Sequence, residues 1–272
     1  MGCLDGKVAF ITGAARGQGR SHAVLLAEHG ADIIGVDICD QIETVAYPMA
    51  TRQDLDETVR MVEKLDRRMI SFVADVRDEQ ALASAVAQGV AELGRLDIVI
   101  ANAGIMFQGL PPGQDHRAFR DAIDVMLVGV WNTVQAALPT LLEQGEGGAI
   151  VLTSSVQGLR GLVPGTNGGN FGYTAAKHGV VGLMRMYANY LAPHSIRVNT
   201  VHPTGVDTPM LVDFDKHVAS ADPVAVSDLT NPMPVSRIEA VDVSNAILWL
   251  VSDTARYVTG VALPVDAGLI NK

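Results

Sequence analysis

Short apolar blocks alternate along the chain with stretches whose apolar residues recur at helical spacing. A continuous apolar run is typical of a strand buried on both faces, and such strands belong to parallel sheets covered by helices. The pattern therefore predicts an α/β fold of the doubly wound Rossmann type, with about seven parallel strands and helices on both faces. The blocks are 8–11, 32–36, 70–74, 96–101, 149–152, 196–201 and 261–265.

Two segments depart from this alternation. Residues 40–68 follow the second strand and are too long for a simple crossover, so we interpret them as an insertion. Residues 206–235 contain several prolines and no clear strand, which favours a lid. No internal repeat interrupts the chain, and 272 residues fit one core, so residues 1–272 are predicted to form a single domain.

Composition and charge argue against several classes of partner. With 30 acidic and 20 basic residues, the net charge of −10 does not supply the positive surface that nucleic acid or an anionic membrane requires. No run of 18 apolar residues occurs, so no membrane span is predicted. Cys3 and Cys39 build no disulfide framework, and residues 1–6 resemble neither a secretion signal nor a myristoylation site. We therefore expect a cytoplasmic protein.

A glycine-rich turn after the first strand carries the strongest local signal. Gly13, Gly17 and Gly19 stand between the block 8–11 and a helical stretch. Glycines let the backbone approach a ligand closely, and the free N–H groups at a helix start attract a pyrophosphate. A tight strand-to-helix turn also needs glycine, so the turn alone does not decide between a binding site and a simple connection.

An acidic residue at the end of the second strand favours a dinucleotide site. Asp37 lies 18 positions after Gly19, near the spacing of about 20 found in dinucleotide-binding folds. A carboxylate there accepts hydrogen bonds from ribose hydroxyls and repels a 2′-phosphate, which predicts NAD over NADP. Arg16 argues mildly for NADP, because a guanidinium can pair with a phosphate. We give Asp37 more weight, since a buried carboxylate is costly without a partner.

Taken in order, these motifs resemble the short-chain dehydrogenase/reductase family across nearly the whole chain. Residues 12–19 have the family's Thr-Gly-x-x-x-Gly-x-Gly spacing, 102–104 read Asn-Ala-Gly, and 203–208 resemble the segment that clamps the nicotinamide. The resemblance implies Ser155, Tyr173 and Lys177 as the catalytic set. It implies cofactor contacts at Gly13, Arg16, Gly17, Gln18, Gly19, Asp37, Ile38, Asp75, Val76, Asn102, Ala103, Gly104, Tyr173, Lys177, Val206 and Thr208.

The spacing within the catalytic set can also be read without the family. A separation of four places Tyr173 and Lys177 on one face of a predicted helix. An ammonium beside a phenol is expected to lower the pKa of that phenol from about 10 toward the range of acid–base chemistry. Considered alone, such a pair is more often surface packing. Ser155 ends the fifth strand, at the sheet edge where open α/β folds bind ligands, so its hydroxyl is expected to hold a substrate oxygen.

Two features depart from the family pattern. Met126 stands where the family usually has an asparagine that supports a proton-relaying water, and Asn132 is not in register to replace it. Residues 158–172, before Tyr173, are glycine-rich and are expected to form a longer loop beside the substrate. The glycine spacing argues against an extended-type epimerase, and the Tyr–Lys spacing against an enoyl reductase. A non-catalytic NAD-binding module and a dehydrogenase for a 3-oxoacyl or steroid carbonyl remain alternatives.

Residues 13–23 and 36–68 are similar to the mycofactocin-associated, carveol-dehydrogenase-like branch of the family. This similarity implies an insertion folded over the cofactor, and an NAD that stays bound and is reoxidised in place through the mycofactocin redox carrier. It also implies the homotetramer of its relatives. A surface hairpin without function is the alternative for the insertion.

Apolar residues in the loops around the predicted site favour a hydrophobic substrate, a terpenoid or other alicyclic secondary alcohol and its ketone. The same residues fit core packing or subunit contacts equally well. They are Met106, Phe107, Leu159, Leu162, Phe171, Met210, Phe214 and Met233. His202 and Asp207 are interpreted as structural, and no spacing resembles a metal site.

Overall fold

A computed structural model describes residues 2–110, 112–162, 166–212 and 229–272. Within them, seven strands form one parallel sheet in the order β3-β2-β1-β4-β5-β6-β7. The predicted doubly wound α/β fold is therefore confirmed. The strands are β1 (Val8–Thr12), β2 (Asp32–Asp37), β3 (Met69–Val73), β4 (Ile98–Ala101), β5 (Gly148–Thr153), β6 (Ile196–Pro203) and β7 (Ala262–Val265).

Helices cover both faces of this sheet. Side chains alternate between the faces along each strand, so Phe10 of β1 packs on one side and Ile11 on the other. Helices α3 to α6 cover the Phe10 side, and α1, α2 and α7 cover the Ile11 side. The helices are α1 (Gly17–Glu28), α2 (Arg52–Glu63), α3 (Glu79–Leu93), α4 (Asp115–Ile123), α5 (Gly129–Gln144), α6 (Gly168–Leu191) and α7 (Ala240–Val251).

The order of the strands reverses between β1 and β4, which opens a crevice at the carboxyl edge of the sheet. Asn102, directly after β4, ties the two strands together there. Its backbone N–H donates to the Thr12 hydroxyl at 3.1 Å, and its side-chain amide donates to the Thr12 carbonyl at 3.1 Å. These bonds join the ends of β1 and β4 beyond their last paired residues, next to the glycine turn.

One continuous helical stretch, Asp115–Gln144, is long and apolar enough to cross a membrane by length and composition. It consists of α4, a π-helical turn at Asp124–Val128 and α5. More than half of its most apolar window is buried, 56%, and its inner side chains join the core beside the sheet. Burial of this kind is typical of a core helix. The periodicity of the sequence did not predict the π turn.

Residues 40–51 form a loop that leads into α2, whose N-terminus is closed by a capping box between Thr51 and Asp54. At the other predicted departure, Val206 makes an isolated parallel bridge with Ile238, and a short 3₁₀ turn spans Pro209–Leu211. Most of the predicted lid, residues 213–228, lies outside the described residues, as does Phe214.

Candidate active site

A cleft at the carboxyl edge of β1, β2 and β4 holds about 880 Å³ of empty space, part of it open to solvent. Thirteen of the residues predicted to contact a cofactor line it, so the fold brings together positions that are far apart in the chain. They are Gly13, Arg16, Gly17, Gln18, Gly19, Asp37, Ile38, Asp75, Val76, Asn102, Ala103, Gly104 and Thr208. We refer to this space as the cofactor cleft.

The glycine turn is packed so tightly that side chains would not fit. Gly13 has a φ of +70°, and a Cβ there would lie 2.9 Å from the Ala103 Cα atom. A Cβ on Gly19 would lie 1.9 Å from the Gly13 carbonyl oxygen. Arg16, at the N-cap of α1, makes no capping bond through its side chain, and the first turn has no acidic residue. The helix start therefore presents free N–H groups, which suit a pyrophosphate.

Gln18 supplies a further sign that the cleft is built for a ligand. Its side-chain oxygen is buried and has no hydrogen-bond partner among the described residues. A buried polar atom without a partner is costly, and such atoms are normally paired. Its position beside the glycine turn fits a bound dinucleotide that donates to it.

Asp37 is 8% exposed and is held by two backbone N–H groups. Ala15 N–H donates to Oδ2 at 3.0 Å, and Cys39 N–H donates to Oδ1 at 3.2 Å. Burial raises the pKa of the Asp37 carboxyl, while these bonds and the nearby Arg16 charge act to lower it. Each carboxylate oxygen retains a lone pair for a ribose hydroxyl. The Arg16 guanidinium donates to the Pro48 carbonyl, so it is already engaged by the loop.

The loop 40–51 forms one wall of the cofactor cleft through Ile42, Tyr47, Met49 and Ala50. It is joined to α4 by a hydrogen bond from the Thr44 hydroxyl to Asp121 Oδ2 at 2.6 Å, and by an ion pair between Glu43 and Arg117. Burial raises the pKa of the Tyr47 phenol to about 12, while the nearby backbone of Met106 acts to lower it. The loop is thus attached on the far side of the cleft from β2.

Asp75 and Val76, which follow β3, also line the cofactor cleft. The Asp75 carboxylate binds the Arg77 guanidinium at 2.6 Å, and Arg77 also lies 3.6 Å from Asp121. The Val76 carbonyl accepts a bond from the Asn132 side-chain amide at 2.9 Å. Asp121 is therefore shared between the loop 40–51 and the Asp75 end of the cleft.

The three predicted catalytic residues meet where β5 and α6 approach each other. Ser155 follows β5, and Tyr173 and Lys177 lie one turn apart in α6. The Ser155 hydroxyl lies close enough to the Tyr173 phenol to act on its pKa, and it accepts a hydrogen bond from the Gln157 N–H at 3.2 Å. The Lys177 ammonium lies 5.6 Å from the centre of the Tyr173 ring and donates to the Thr153 carbonyl at 2.7 Å. A phenol, a hydroxyl and an ammonium in this arrangement can hold an alcohol oxygen and exchange its proton.

The expectation that Lys177 lowers the pKa of Tyr173 is wrong. Burial raises the pKa of the Tyr173 phenol, and the neighbouring Ser155 hydroxyl acts to lower it. Burial also lowers the pKa of Lys177, to about 8. Both shifts share one cause, because a buried site disfavours the charged form of each group. Because the Lys177 pKa of about 8 lies below that of the buried phenol, the lysine has lost its charge before Tyr173 titrates.

Part of the glycine-rich stretch 158–172 differs from the expectation of a loop. Residues 168–172 form the first turn of α6, capped by Asn167, which accepts from the Asn170 N–H at 2.9 Å. A Cβ on Gly168 would lie 2.1 Å from the Asp115 carbonyl oxygen, and one on Gly172 would lie 2.7 Å from that of Phe119. These glycines therefore allow α6 to pack closely against α4.

A second cleft, which we call the substrate cleft, adjoins the first. Ser155, Tyr173 and Val206 line it, and Gln18, Thr208 and Met210 line both clefts. Lys177 lines neither; it is buried behind Tyr173, with 3% of its surface exposed. The catalytic residues thus lie close to the boundary between the two clefts.

Some of the apolar residues predicted around the site line the substrate cleft, while others are buried in the core or exposed. Met106, Leu162 and Met210 line the substrate cleft. Phe107 is buried in the core against Gly169, and Leu159 packs on the same core. Phe171 and Met233 are exposed. The sequence analysis missed Leu211 and Leu229, which lie within its predicted lid, and Val156 and Leu269, which lie outside its predicted loops. Only closeness in the fold identifies Val156 and Leu269.

Met126 is fully buried on the π turn, and its sulfur lies 3.7 Å from the point where a Gly104 Cβ would stand. The Asn132 side-chain amide donates to the Val76 carbonyl. Among the described residues, no three His, Cys, Asp or Glu side chains form a group that could hold a metal ion.

Comparisons with known proteins agree with this geometry. A family model described as enoyl-(acyl carrier protein) reductase matches residues 13–270. The chain is 48% identical to (-)-trans-carveol dehydrogenase of Rhodococcus erythropolis over 281 residues, with 98% of this chain and 99% of that one covered. The chain belongs to the short-chain dehydrogenase/reductase family. Family membership confirms the predicted class, an NAD-dependent oxidoreductase that acts on an alcohol.

Two solved relatives of this short-chain dehydrogenase contain the cofactor. Carveol dehydrogenase from Mycobacterium avium, in complex with NAD, superposes with a TM-score of 0.91 at 50% identity, with 100% of both chains covered. A short-chain dehydrogenase from Mycobacterium paratuberculosis bound to NAD gives 0.93 at 45% identity, again over 100% of both chains. These findings support NAD as the cofactor of this dehydrogenase.

Proposed function

We propose that this dehydrogenase oxidises a hydrophobic, terpenoid or other alicyclic secondary alcohol, similar to carveol, to its ketone. The observation that carries the proposal is the meeting of Ser155, Tyr173 and Lys177 at the boundary between the two clefts. The substrate cleft is lined partly by apolar side chains, among them Met106, Leu162 and Met210, which suits an alicyclic ring.

In this proposal Tyr173 reacts as its phenolate, having first lost its own proton to solvent, and the phenolate oxygen accepts the hydroxyl proton of the alcohol. The Ser155 hydroxyl holds the alcohol oxygen in line with it. Lys177 provides positive charge behind the ring and is placed by its bond to the Thr153 carbonyl. NAD, when bound, supplies the acceptor for the hydride that leaves the carbinol carbon. The protein contributes placement and control of the proton.

The residues proposed to hold NAD are those predicted from the sequence. The start of α1 and the glycine turn would bind the pyrophosphate, Asp37 the adenosine ribose, and Asp75 with Val76 the adenine. Val206 and Thr208 would contact the nicotinamide end, with Lys177 on the nicotinamide ribose. The occupied position of Arg16, bonded to Pro48, supports NAD over NADP, because it is not free to receive a 2′-phosphate.

We also propose that NAD is held tightly and is reoxidised in place, with the mycofactocin redox carrier as the electron acceptor. The two attachments of the loop 40–51 to α4, through Glu43 and Thr44, support its role as a cover over the dinucleotide. Residues 206–235 are proposed as a lid on the substrate cleft, which Val206, Leu211 and Leu229 line.

A homotetramer in the cytoplasm completes the proposal. Exposed apolar side chains on two separate parts of the surface support two kinds of subunit contact: Trp131, Met186 and Tyr190 on α5 and α6, and Trp249 and Val261 on and after α7. Light scattering should give a mass about four times 28.7 kDa. Two free cysteines suit a reducing compartment.

The deciding experiment mixes the protein with a panel of alicyclic alcohols and an artificial electron acceptor, in parallel with a 3-oxoacyl thioester and NADH. The second arm is included because 3-oxoacyl-[acyl-carrier-protein] reductase FabG of Thermotoga maritima is 34% identical over 98% of this chain. Turnover of an alcohol that is lost in Tyr173→Phe supports the proposal. Turnover of the thioester alone would replace the proposed alcohol substrate with a 3-oxoacyl substrate, and no turnover in either arm would favour a non-catalytic NAD-binding module.

Tight binding of NAD is tested separately, by denaturing the purified protein and assaying the supernatant for stoichiometric NAD(H).

A further inference from the structure

His202, near the end of β6, has no assigned role in the reaction, yet it contacts the catalytic serine. The side chain is fully buried. Its Nδ1 atom lies 2.7 Å from the Ser155 carbonyl oxygen, and its Nε2 atom lies 2.7 Å from the Thr200 hydroxyl. A buried imidazole with both nitrogens paired at short distance has one orientation available to it.

The two partners fix the proton of the ring. A carbonyl oxygen only accepts hydrogen bonds, so Nδ1 carries the hydrogen and donates to Ser155. In the neutral ring Nε2 then accepts, and the Thr200 hydroxyl donates to it. Burial lowers the pKa of His202 to about 4, and the positive charge of Lys177 acts in the same direction. The imidazole is therefore neutral at physiological pH, with one donor and one acceptor that match its neighbours.

His202 lies where the hydrogen-bond ladder between β5 and β6 is interrupted by a proline. The ladder between β5 and β6 continues to Ser154, whose N–H donates to the Val201 carbonyl at 2.9 Å. In a parallel ladder the next donor on β6 would be the backbone amide of Pro203, which carries no hydrogen. The His202 side chain supplies a donor to β5 at this point, one residue farther along, on the Ser155 carbonyl.

A second donor completes the clamp on Ser155. The Gly158 N–H, in the 3₁₀ turn Val156–Gly158, donates to the same carbonyl oxygen at 2.8 Å. One lone pair is thus used by the turn that follows Ser155 and the other by the neighbouring strand. The peptide from which the serine hydroxyl extends is held from two directions.

We propose that His202 is a positioning residue for Ser155. It holds the serine backbone at the end of β5 so that the hydroxyl meets Tyr173 and the alcohol oxygen, and it does so through Nδ1. The inference rests on the proposed function for the role of Ser155 in the reaction. His202 itself lines neither the cofactor cleft nor the substrate cleft.

Two amide substitutions separate this role from packing. In His202→Asn the side-chain nitrogen takes the place of Nδ1, and the donor to Ser155 is kept. In His202→Gln the amide nitrogen takes the place of Nε2 beside Thr200, and the donor to Ser155 is lost. Glutamine is as polar as asparagine and closer to histidine in size. Loss of placement at a reacting group is worth up to about 100-fold in rate. We expect His202→Asn to keep at least about a third of the wild-type kcat, and His202→Gln to lose about tenfold or more, with the KM for NAD changed by less than about twofold.

The comparison is made with any alcohol that the wild-type protein oxidises, with thermal unfolding recorded for each variant. A kcat for the glutamine variant equal to or above that of the asparagine variant would overturn the inference, because the larger amide fills the site better. A folded asparagine variant with little activity would also overturn it. In a Ser155→Ala background the effect of His202→Gln should vanish, and persistence of the full effect counts against action through the serine. Full activity of Ser155→Ala alone would instead refute the proposed function.

Discussion

Thr44 is the point at which the loop 40–51 can be loosened with least disturbance to the cofactor cleft. Its side chain is fully buried, and its hydroxyl donates to Asp121 at 2.6 Å. Hydrogen bonds to charged groups contribute about 1.5–3 kcal/mol. Asp121 keeps its Arg77 partner at 3.6 Å when the hydroxyl is removed, which favours the lower end of that range. Thr44→Val, which keeps the shape of the side chain, should therefore destabilise the closed loop by about 1.5 kcal/mol.

If NAD leaves only when the loop opens, the rate of release scales with the population of the open loop. A destabilisation of about 1.5 kcal/mol then accelerates release about tenfold, since 1.4 kcal/mol corresponds to a factor of ten. The assay loads the protein with NADH, adds an excess of NAD and follows the fall in NADH fluorescence. For a cofactor that survives purification, the fraction retained after dialysis over days replaces the fluorescence trace.

Two matched variants control this prediction. Thr44→Ser keeps the hydroxyl and should release NADH at close to the wild-type rate. Glu43→Gln removes the ion pair with Arg117, in which both side chains are more than half exposed, and such pairs contribute about 0–1 kcal/mol, so release should change by less than about fivefold. A Thr44→Val protein that releases NADH at the wild-type rate would refute the view of the loop as a cover.

Three further predictions concern the residues beneath the loop. Tyr173→Phe should lower kcat about 10²–10⁴-fold, measured by steady-state kinetics, with NAD content unchanged; residual activity within tenfold of wild type would rule out Tyr173 as the base. Lys177 has a folded pKa of about 8 and an unfolded value near 10.4. The unfolded state therefore binds more protons between these values, and wild-type stability should gain up to about 3 kcal/mol relative to Lys177→Met as pH rises from 8 to 10.5; parallel denaturant-unfolding curves would contradict this. Asp37→Ser should lower the preference for NAD over NADP about tenfold or more in kcat/KM, and an unchanged ratio would remove Asp37 from the ribose site.

The fold could be predicted because its strands are buried on both faces. Runs such as 8–11 and 196–201 lack the alternation of apolar and polar residues that marks a half-exposed strand. The glycine turn marks where the first strand meets its helix. The chemistry at the edge followed from the same logic. Asp37 ends β2 and Ser155 follows β5 by two residues, and the ends of parallel strands meet at one edge.

Contacts between distant segments were out of reach of such reasoning. Thr44 and Asp121 are 77 positions apart, and nothing in the sequence around either residue indicates that they are hydrogen-bonded. The pKa of Tyr173 depends on how deeply α6 is buried, which the spacing to Lys177 does not encode. Phe107 lies in a predicted site loop but is core, because Gly169 leaves room for its ring. In each case the missing information is a distance in three dimensions.

The wall shared by the two clefts has a kinetic consequence. Gln18, Thr208 and Met210 border both spaces, so NAD under the closed loop would present its reactive end to the substrate cleft. With NAD retained as proposed, the alcohol and the external oxidant have to use the same entrance in turn. Each turnover would then consist of two half-reactions, giving parallel lines in double-reciprocal plots and inhibition by the ketone that is competitive against the oxidant.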